Sequence, residues 1–302
     1  MDLIQSISKK YNKMLFNWIA KDILHTQPLD PKGDSPVIVT ILCHKDLLMY
    51  LLAIKSFYRA LGRGRIVIIN DGSLTKTDIE ILNFHVRPSE YINASELSST
   101  SCPSYISWKK LFCVARYIKD TYTIHMDADT LTVGINLPEV QSHIDTGTSF
   151  ILGTWKNQQP TTMIEAAQAA QSSNSTHVQM LSEKNFALLP NVNNLKYIRG
   201  CAGFDGFAVN SFDLSYLEDF SQQMYELIGK KWNEWGSEQT MSNVIVANST
   251  KGAVLPCPDY YNYWGKVEAD SRFVHFVGSY RYHGGNYGRL ARKITHELLK
   301  SI

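Results

Sequence analysis

Three short apolar runs, each closed by polar residues, constrain the fold of this chain more than any other feature. Val37-Ile38-Val39-Thr40-Ile41-Leu42 leads into Cys43-His44-Lys45. Arg65-Ile66-Val67-Ile68-Ile69-Asn70 leads into Asp71-Gly72-Ser73. Tyr122-Thr123-Ile124-His125-Met126 leads into Asp127-Ala128-Asp129. Continuous apolar runs rich in β-branched residues suit strands buried on both faces, as in a parallel sheet. Between them lie stretches with helical spacing. Residues 46–61 repeat Leu48, Leu51, Leu52, Ile54, Phe57 and Tyr58, residues 77–84 read as another helix, and residues 107–119 carry Trp108, Leu111, Phe112, Val114, Ala115 and Ile118. Strands alternating with helices predict an α/β domain on a mixed, mostly parallel sheet flanked by helices. Ligands bind such sheets beyond the carboxyl ends of the strands. Three strands that all end in polar residues therefore predict one composite site.

Asp127 and Asp129 are its sharpest element. Two carboxylates one residue apart at a strand end form a hard, oxygen-rich site that suits Mn²⁺ or Mg²⁺ better than zinc. An ion held by so few protein ligands keeps positions open for phosphate oxygens. A turn or solvated loop also carries Asp-x-Asp readily; the other strand ends tip the balance toward a site.

The 302 residues suffice for one large domain or two, and the 44% apolar, 19% charged composition is that of a folded globular protein. A net charge of +2 gives no general attraction to nucleic acid. Cys43, Cys102, Cys113, Cys201 and Cys257 are odd in number, scattered and free of CxxC pairs. That argues against a disulfide framework or a zinc site and for a reducing, cytoplasmic compartment. No segment reads as a signal peptide, and no uncharged apolar run reaches the roughly 18–20 residues of a membrane span. The sequons at Asn93, Asn174 and Asn248 carry little weight in that setting.

Three parts follow from the patterning: an N-terminal helix within residues 1–30, a central domain over 35–285, and a basic C-terminal helix over 286–302. In residues 2–25, Leu3, Ile4, Ile7, Tyr11, Met14, Leu15, Trp18 and Ile19 recur at helical spacing among Lys9, Lys10, Lys13 and Lys21. The last part sets Arg289, Arg292, Lys293 and Lys300 among Leu290, Ile294, Leu298 and Leu299. Either helix packs on the domain or lies on an anionic membrane surface; packing is favoured for the first, and neither for the second. Residues 157–200, rich in Gln, Asn and Ser, read as an insertion or lid with a helix near 161–171. Residues 200–210 form a Gly-punctuated strand that admits a close neighbour. Ser237 is expected to cap a helix over 239–247, with Glu238 in its first turn. Capping alone explains Glu238 as well as a functional role does. On the helix before the metal strand, Lys109 is a candidate cation for the site, and Lys110 is expected on a solvated face.

Val274-His275-Phe276-Val277-Gly278-Ser279-Tyr280-Arg281 adds the decisive segment. It resembles the His-x-x-Gly-x-x-Lys motif near the carboxyl end of glycosyltransferase family 8, the glycogenin and bacterial galactosyltransferase group, with Arg281 in place of Lys. The resemblance spans about residues 37–285. It implies a GT-A-like fold and transfer of a sugar, with retention, from a nucleotide-diphosphate donor, UDP-sugar favoured. The acceptor would be a hydroxyl of a saccharide, glycolipid or protein. It also implies that Asp127, Asp129 and His275 ligate Mn²⁺ or Mg²⁺, and that Gly278 and Arg281 serve the donor phosphate. Phe204-Asp205-Gly206-Phe207 resembles the family's Phe-Asn-Ala-Gly strand, and Ser237-Glu238-Gln239 its Asp-Gln-Asp segment. Glu238 would then contact the acceptor, and Gln239 would lie near the anomeric carbon. Thr40, His44 and Asp71 stand where such enzymes bind the nucleoside. An inverting enzyme with Glu238 or Asp205 as general base is the alternative chemistry. The rival classes are a sugar-phosphate nucleotidyltransferase and a noncatalytic carbohydrate-binding module. The first lacks its basic, Gly-rich phosphate loop here, and the second has no need of three spaced ligands.

Overall fold

The computed structural model describes residues 3–300, with side chains from residue 5. The outermost residues of both expected terminal helices, and the Leu3 and Ile4 side chains, lie outside this description. In chain order the elements are α1 (Leu3–Ile19), β1 (Val37–Leu42), α2 (Leu47–Leu61), β2 (Arg65–Asn70), α3 (Lys76–His85), β3 (Glu90–Asn93), α4 (Lys109–Tyr117), β4 (Thr123–Met126), β5 (Thr130–Thr132), α5 (Pro138–Thr146) and β6 (Ser149–Leu152). They continue with β7 (Thr161–Thr162), α6 (Met163–Ala170), α7 (Val178–Asn185), β8 (Lys196–Tyr197), β9 (Cys201–Phe207), α8 (Leu214–Ile228), α9 (Ser237–Asn248), β10 (Gly252–Leu255), β11 (Tyr260–Asn262), β12 (Phe273–His275) and α10 (Asn286–Lys300).

The main sheet has seven strands in the order β10-β6-β9-β4-β1-β2-β3. All neighbours pair in parallel except β9, which runs antiparallel to both β4 and β6. Alternate residues feed two different cores. Ile38, Ile66, Ile68 and Ile124 join one cluster, and Val37, Val39, Val67 and Ile69 the other. Burial on both faces is why these runs show no polar alternation.

A second sheet, β11-β12-β5, starts where the first one ends. β5 follows Asp129 directly and pairs antiparallel with β12 in a register that sets Thr130 opposite His275. That register joins residues far apart in sequence. Aromatic packing fixes one sheet on the other. Phe273 of β12 stacks on Phe204 of β9 at 4.0 Å, and Phe57 of α2 meets both edge-on. Such buried rings are worth about 3–5 kcal/mol each against alanine.

The helix after the Trp232 segment begins at Ser237, earlier than its apolar pattern suggests. Ser237 does not cap it: Gly236, at φ +107°, occupies that position without a side-chain bond. The Ser237 hydroxyl instead accepts from Trp108 Nε1 at 2.9 Å, a tertiary contact that outcompetes local capping. Residues 157–200 hold α6, α7 and the antiparallel β7–β8 pair that brackets them, and Met163, Val178, Phe186 and Tyr197 are buried in the same core as Val37 and Val39. The α6 start has a Thr162/Glu165 capping box. Both terminal helices pack on the domain and on each other. Phe16 stacks on Tyr287 at 4.2 Å, and Tyr287 on Phe276 at 4.0 Å. No described helix is long and apolar enough to cross a membrane.

Candidate functional site

The site forms where β4 leaves the main sheet and β5 enters the small one. Two backbone bonds pin the turn: Asp127 N–H donates to Gly203 C=O at 2.9 Å, and Phe276 N–H to Asp129 C=O at 2.8 Å. Thr130 Oγ1 donates to Asp127 C=O at 2.9 Å. With the backbone held from both sides, the two carboxylates and His275 converge. His275 Nε2 lies 3.3 Å from Asp129 Oδ1 and 3.7 Å from Asp127 Oδ2. One ligand atom from each of Asp127, Asp129 and His275 falls within 4.8 Å of the other two.

The surroundings aim this set. His275 Nδ1 sits 2.8 Å from Asn262 Oδ1, an acceptor that fixes the proton on Nδ1 and leaves Nε2 toward the carboxylates. Cys201 Sγ is 3.4 Å from the same nitrogen. Gly203 makes room for the ring, since a Cβ there would collide with His275 Cε1. Burial alone would lower the pKa of His275; the neighbouring Cys201 and Asp129 outweigh it and hold the imidazole well above its ordinary value. Asp127, with a side chain 42% exposed, is the open member. Burial raises its pKa, but the bond from His125 and the charge of Lys110 prevail, so it stays below the usual carboxylate range.

A buried polar layer lies behind the site, on the sheet face covered by α4 and α9. His125 and Asp205 are direct cross-strand partners. His125 Nδ1 is 3.0 Å from Asp205 Oδ1, and its Nε2 is 3.2 Å from Asp127 Oδ1. Asp205 is fully buried and its Oδ2 has no partner. In this position Asp205 reaches Asp127 by way of His125 and does not face the open side.

Lys110 corrects an expectation. It is buried, not solvated, and its ammonium donates to Ala202 C=O at 2.6 Å. Burial lowers its pKa, and Asp127, Asp205 and Glu238 together overcome this, so the amine remains charged. Lys110 and Val114 share one stripe of α4, continued by Ile118 at its C-cap, and that stripe faces the sheet. Lys109, the favoured candidate, points elsewhere: it bonds Leu97 C=O at 2.6 Å and lies over the Phe112 ring.

The remaining candidates divide. Arg281 reaches the cluster, bonding Asp129 Oδ2, with its Nε on Phe276 C=O at 3.1 Å. Gly278, at φ +40°, starts the turn that folds Arg281 back. Glu238 is buried and accepts from Gly236 N–H at 2.9 Å and from the Tyr105 hydroxyl. Gln239 Nε2 donates to Gln179 Oε1 of α7 at 3.0 Å, so residues 157–200 reach the α9 start. At the ends of β1 and β2, His44 N–H donates to Ser73 Oγ, and Asp71 Oδ1 accepts from Ser73 N–H at 2.9 Å. His44 Nδ1 also lies 2.7 Å from Asp78 Oδ2. Thr40 is fully buried, and its hydroxyl donates to Met126 C=O, tying β1 to β4. Asn262, His125, Cys201 and Tyr105 escaped the sequence reading as site residues. A histidine inside the apolar run of β4 was the one local signal among them.

Solved structures similar to this chain include glycosyltransferases. The apo structure of WbbM, a bifunctional glycosyltransferase, superposes with a TM-score of 0.51 at 12% identity, over 91% of this chain and 53% of that one. The chain thus spans about half of that structure. The fold is that of the GT-A glycosyltransferases. GlyE from Streptococcus pneumoniae TIGR4 gives 0.49 at 10% identity over 88% of this chain and 62% of its own. An active-site mutant of LgtC gives 0.48 at 11% identity, over 88% of this chain and 97% of its own. No protein-family model and no curated protein matches the chain. At such identities the likeness speaks for the fold alone.

Proposed function

We propose that this chain is a divalent-metal-dependent glycosyltransferase. It moves a sugar from a nucleotide-diphosphate donor, UDP-sugar favoured, to a hydroxyl of a saccharide, glycolipid or protein, with retention as in family 8. The observation that carries this reading is the convergence of Asp127, Asp129 and His275 at the mouth of a GT-A sheet. The donor set fits Mn²⁺ or Mg²⁺ through its two carboxylates, and the single imidazole nitrogen favours Mn²⁺, the softer of the two. A second-layer acceptor, Asn262, already orients that nitrogen. Asp127, Asp129 and His275 would hold the ion, which when bound would stabilise the departing diphosphate as a Lewis acid.

The chain's own residues do the rest. Arg281 balances the charge of Asp129 and holds a bidentate-capable guanidinium at the edge of the site, where a phosphate oxygen can compete for it. Lys110 supplies a buried positive charge among Asp127, Asp205 and Glu238, which keeps three carboxylates tolerable in one place. His125 and Asp205 brace Asp127 from behind. Glu238 and Gln239, fixed by Tyr105 and Gln179, border the reacting sugar in this reading. His44 and Asp71 frame the nucleoside, and Thr40 contributes by setting the strand beneath them.

Thermal unfolding with UDP, GDP, CMP and ADP tests this, each with Mn²⁺ or EDTA, on the wild type and Asp129→Ala. A ligand at about a hundred times its Kd stabilises by about 2.7 kcal/mol, a shift of several degrees. The expected result is a shift with one diphosphate that needs both metal and Asp129. No shift with any nucleotide would overturn the metal-nucleotide site. NMR of the anomeric proton in the product then reads retention or inversion.

A further inference from the structure

We infer that the outer face of α1 is a docking surface for an anionic phospholipid bilayer. The two sides of this helix differ sharply. The inner side is spent on the fold, with Phe16 and Ile19 buried against α10. The outer side carries Ile7, Tyr11, Met14 and Trp18, which are 59%, 64%, 72% and 65% exposed. Their spacing of four, three and four residues lines them on a single stripe. No described element of the chain covers that stripe. A helix that merely packs on a domain needs nothing apolar on its far side, so the stripe calls for an occupant.

Charge selects the occupant. Lys10 and Lys13 are exposed alongside the stripe, and α1 holds no acidic residue. Asp22 is the single acid between residues 3 and 25, against Lys9, Lys10, Lys13 and Lys21. The neighbouring α10 exposes Arg289, Arg292, Lys293 and Lys300, with Glu297 as its one carboxylate. Since α1 and α10 pack together, the two sets of cations occupy one end of the molecule. An apolar stripe bearing Trp and Tyr, rimmed by lysine, matches the boundary between acyl chains and negative headgroups. A second copy of this chain would bring lysine against lysine on the same stripe, which disfavours self-association. Docking does not depend on the transferase reading, and its test needs no nucleotide.

Co-flotation of the full chain with vesicles is decisive. One set is phosphatidylcholine alone, the other phosphatidylcholine with phosphatidylglycerol, each at low and high salt. The expected result is flotation only with phosphatidylglycerol, lost at high salt as the charges are screened. Lys10→Gln and Lys13→Gln should each weaken partitioning about fivefold, and Trp18→Ser with Met14→Ser should abolish it. All four side chains are solvent-exposed, so melting temperatures should not move, and the lysine variants disturb no packed atom. Absence of flotation, or equal flotation on both vesicle types, would overturn the proposal. So would a dimer in size-exclusion chromatography that Trp18→Ser dissolves.

Discussion

Two polar clusters in this molecule each hold a buried histidine and put it to opposite ends. Near the N-terminal segment, Lys55 is almost wholly buried and its ammonium donates to Thr26 Oγ1 at 2.8 Å, Gln27 C=O at 2.7 Å and His85 Nδ1 at 3.1 Å. Every donor has a partner, and the cluster closes on itself. Burial lowers the pKa of Lys55 to about 8, and burial with the Lys55 charge lowers that of His85 to about 4. At the strand ends, by contrast, two carboxylates, Asp127 and Asp129, crowd around one imidazole, His275, and Asp127 is left partly open to water. There the histidine is pushed up, not down. A buried polar group that is fully satisfied stabilises the fold; a preorganised set with spare ligand capacity awaits something from outside.

The largest effect should come from Asp129→Ala. Mn²⁺ affinity, followed by titration calorimetry, is expected to fall by at least about 100-fold, while the Lys55 cluster keeps its stability contribution. Lys55→Met should do the reverse. It strands three acceptors, costs about 2–3 kcal/mol in urea unfolding and leaves Mn²⁺ affinity within about twofold. If the two variants proved interchangeable in either readout, the contrast would collapse. Asn262→Leu sharpens it from the second layer: loss of the Nδ1 partner should weaken Mn²⁺ binding about tenfold with little change in melting temperature.

The smallest expected effect is a pH slope. The folded pKa of His85, about 4, lies below the unfolded value near 6.5, so the unfolded chain takes up its proton first as pH falls. Stability is therefore full above about 6.5 and is lost between 6.5 and 4, by about 0.7 kcal/mol between pH 7 and pH 6. His85→Asn, which keeps an acceptor for Lys55 without titrating, should flatten that slope. His275 has the opposite sign: its raised folded pKa stabilises the metal-free protein below about 6.5, and this is lost as pH rises through the folded value.

Much of this was legible in the chain. Strand runs, helix periods and polar strand ends are local patterns, so β1, β2, β4 and the helices between them follow from neighbouring residues alone. The three ligand candidates were also legible, because each stands in a short motif at a strand end. Other features depended on contacts across the chain. The antiparallel run of β9 sets Asp205 behind His125, and the β5–β12 register sets His275 beside Asp129. Whether Lys109 or Lys110 faces the carboxylates turns on how α4 rotates against the sheet, and Asn262 arrives from a strand with no motif of its own. The sequence alone thus determined that β1, β2, β4 and the helices between them form and which strand ends carry candidate ligands, since local periodicity and side-chain chemistry decide those. Only the tertiary structure decided which charges meet, because pairing register and helix rotation are set by the packing of two cores and a small second sheet, and no segment encodes them by itself.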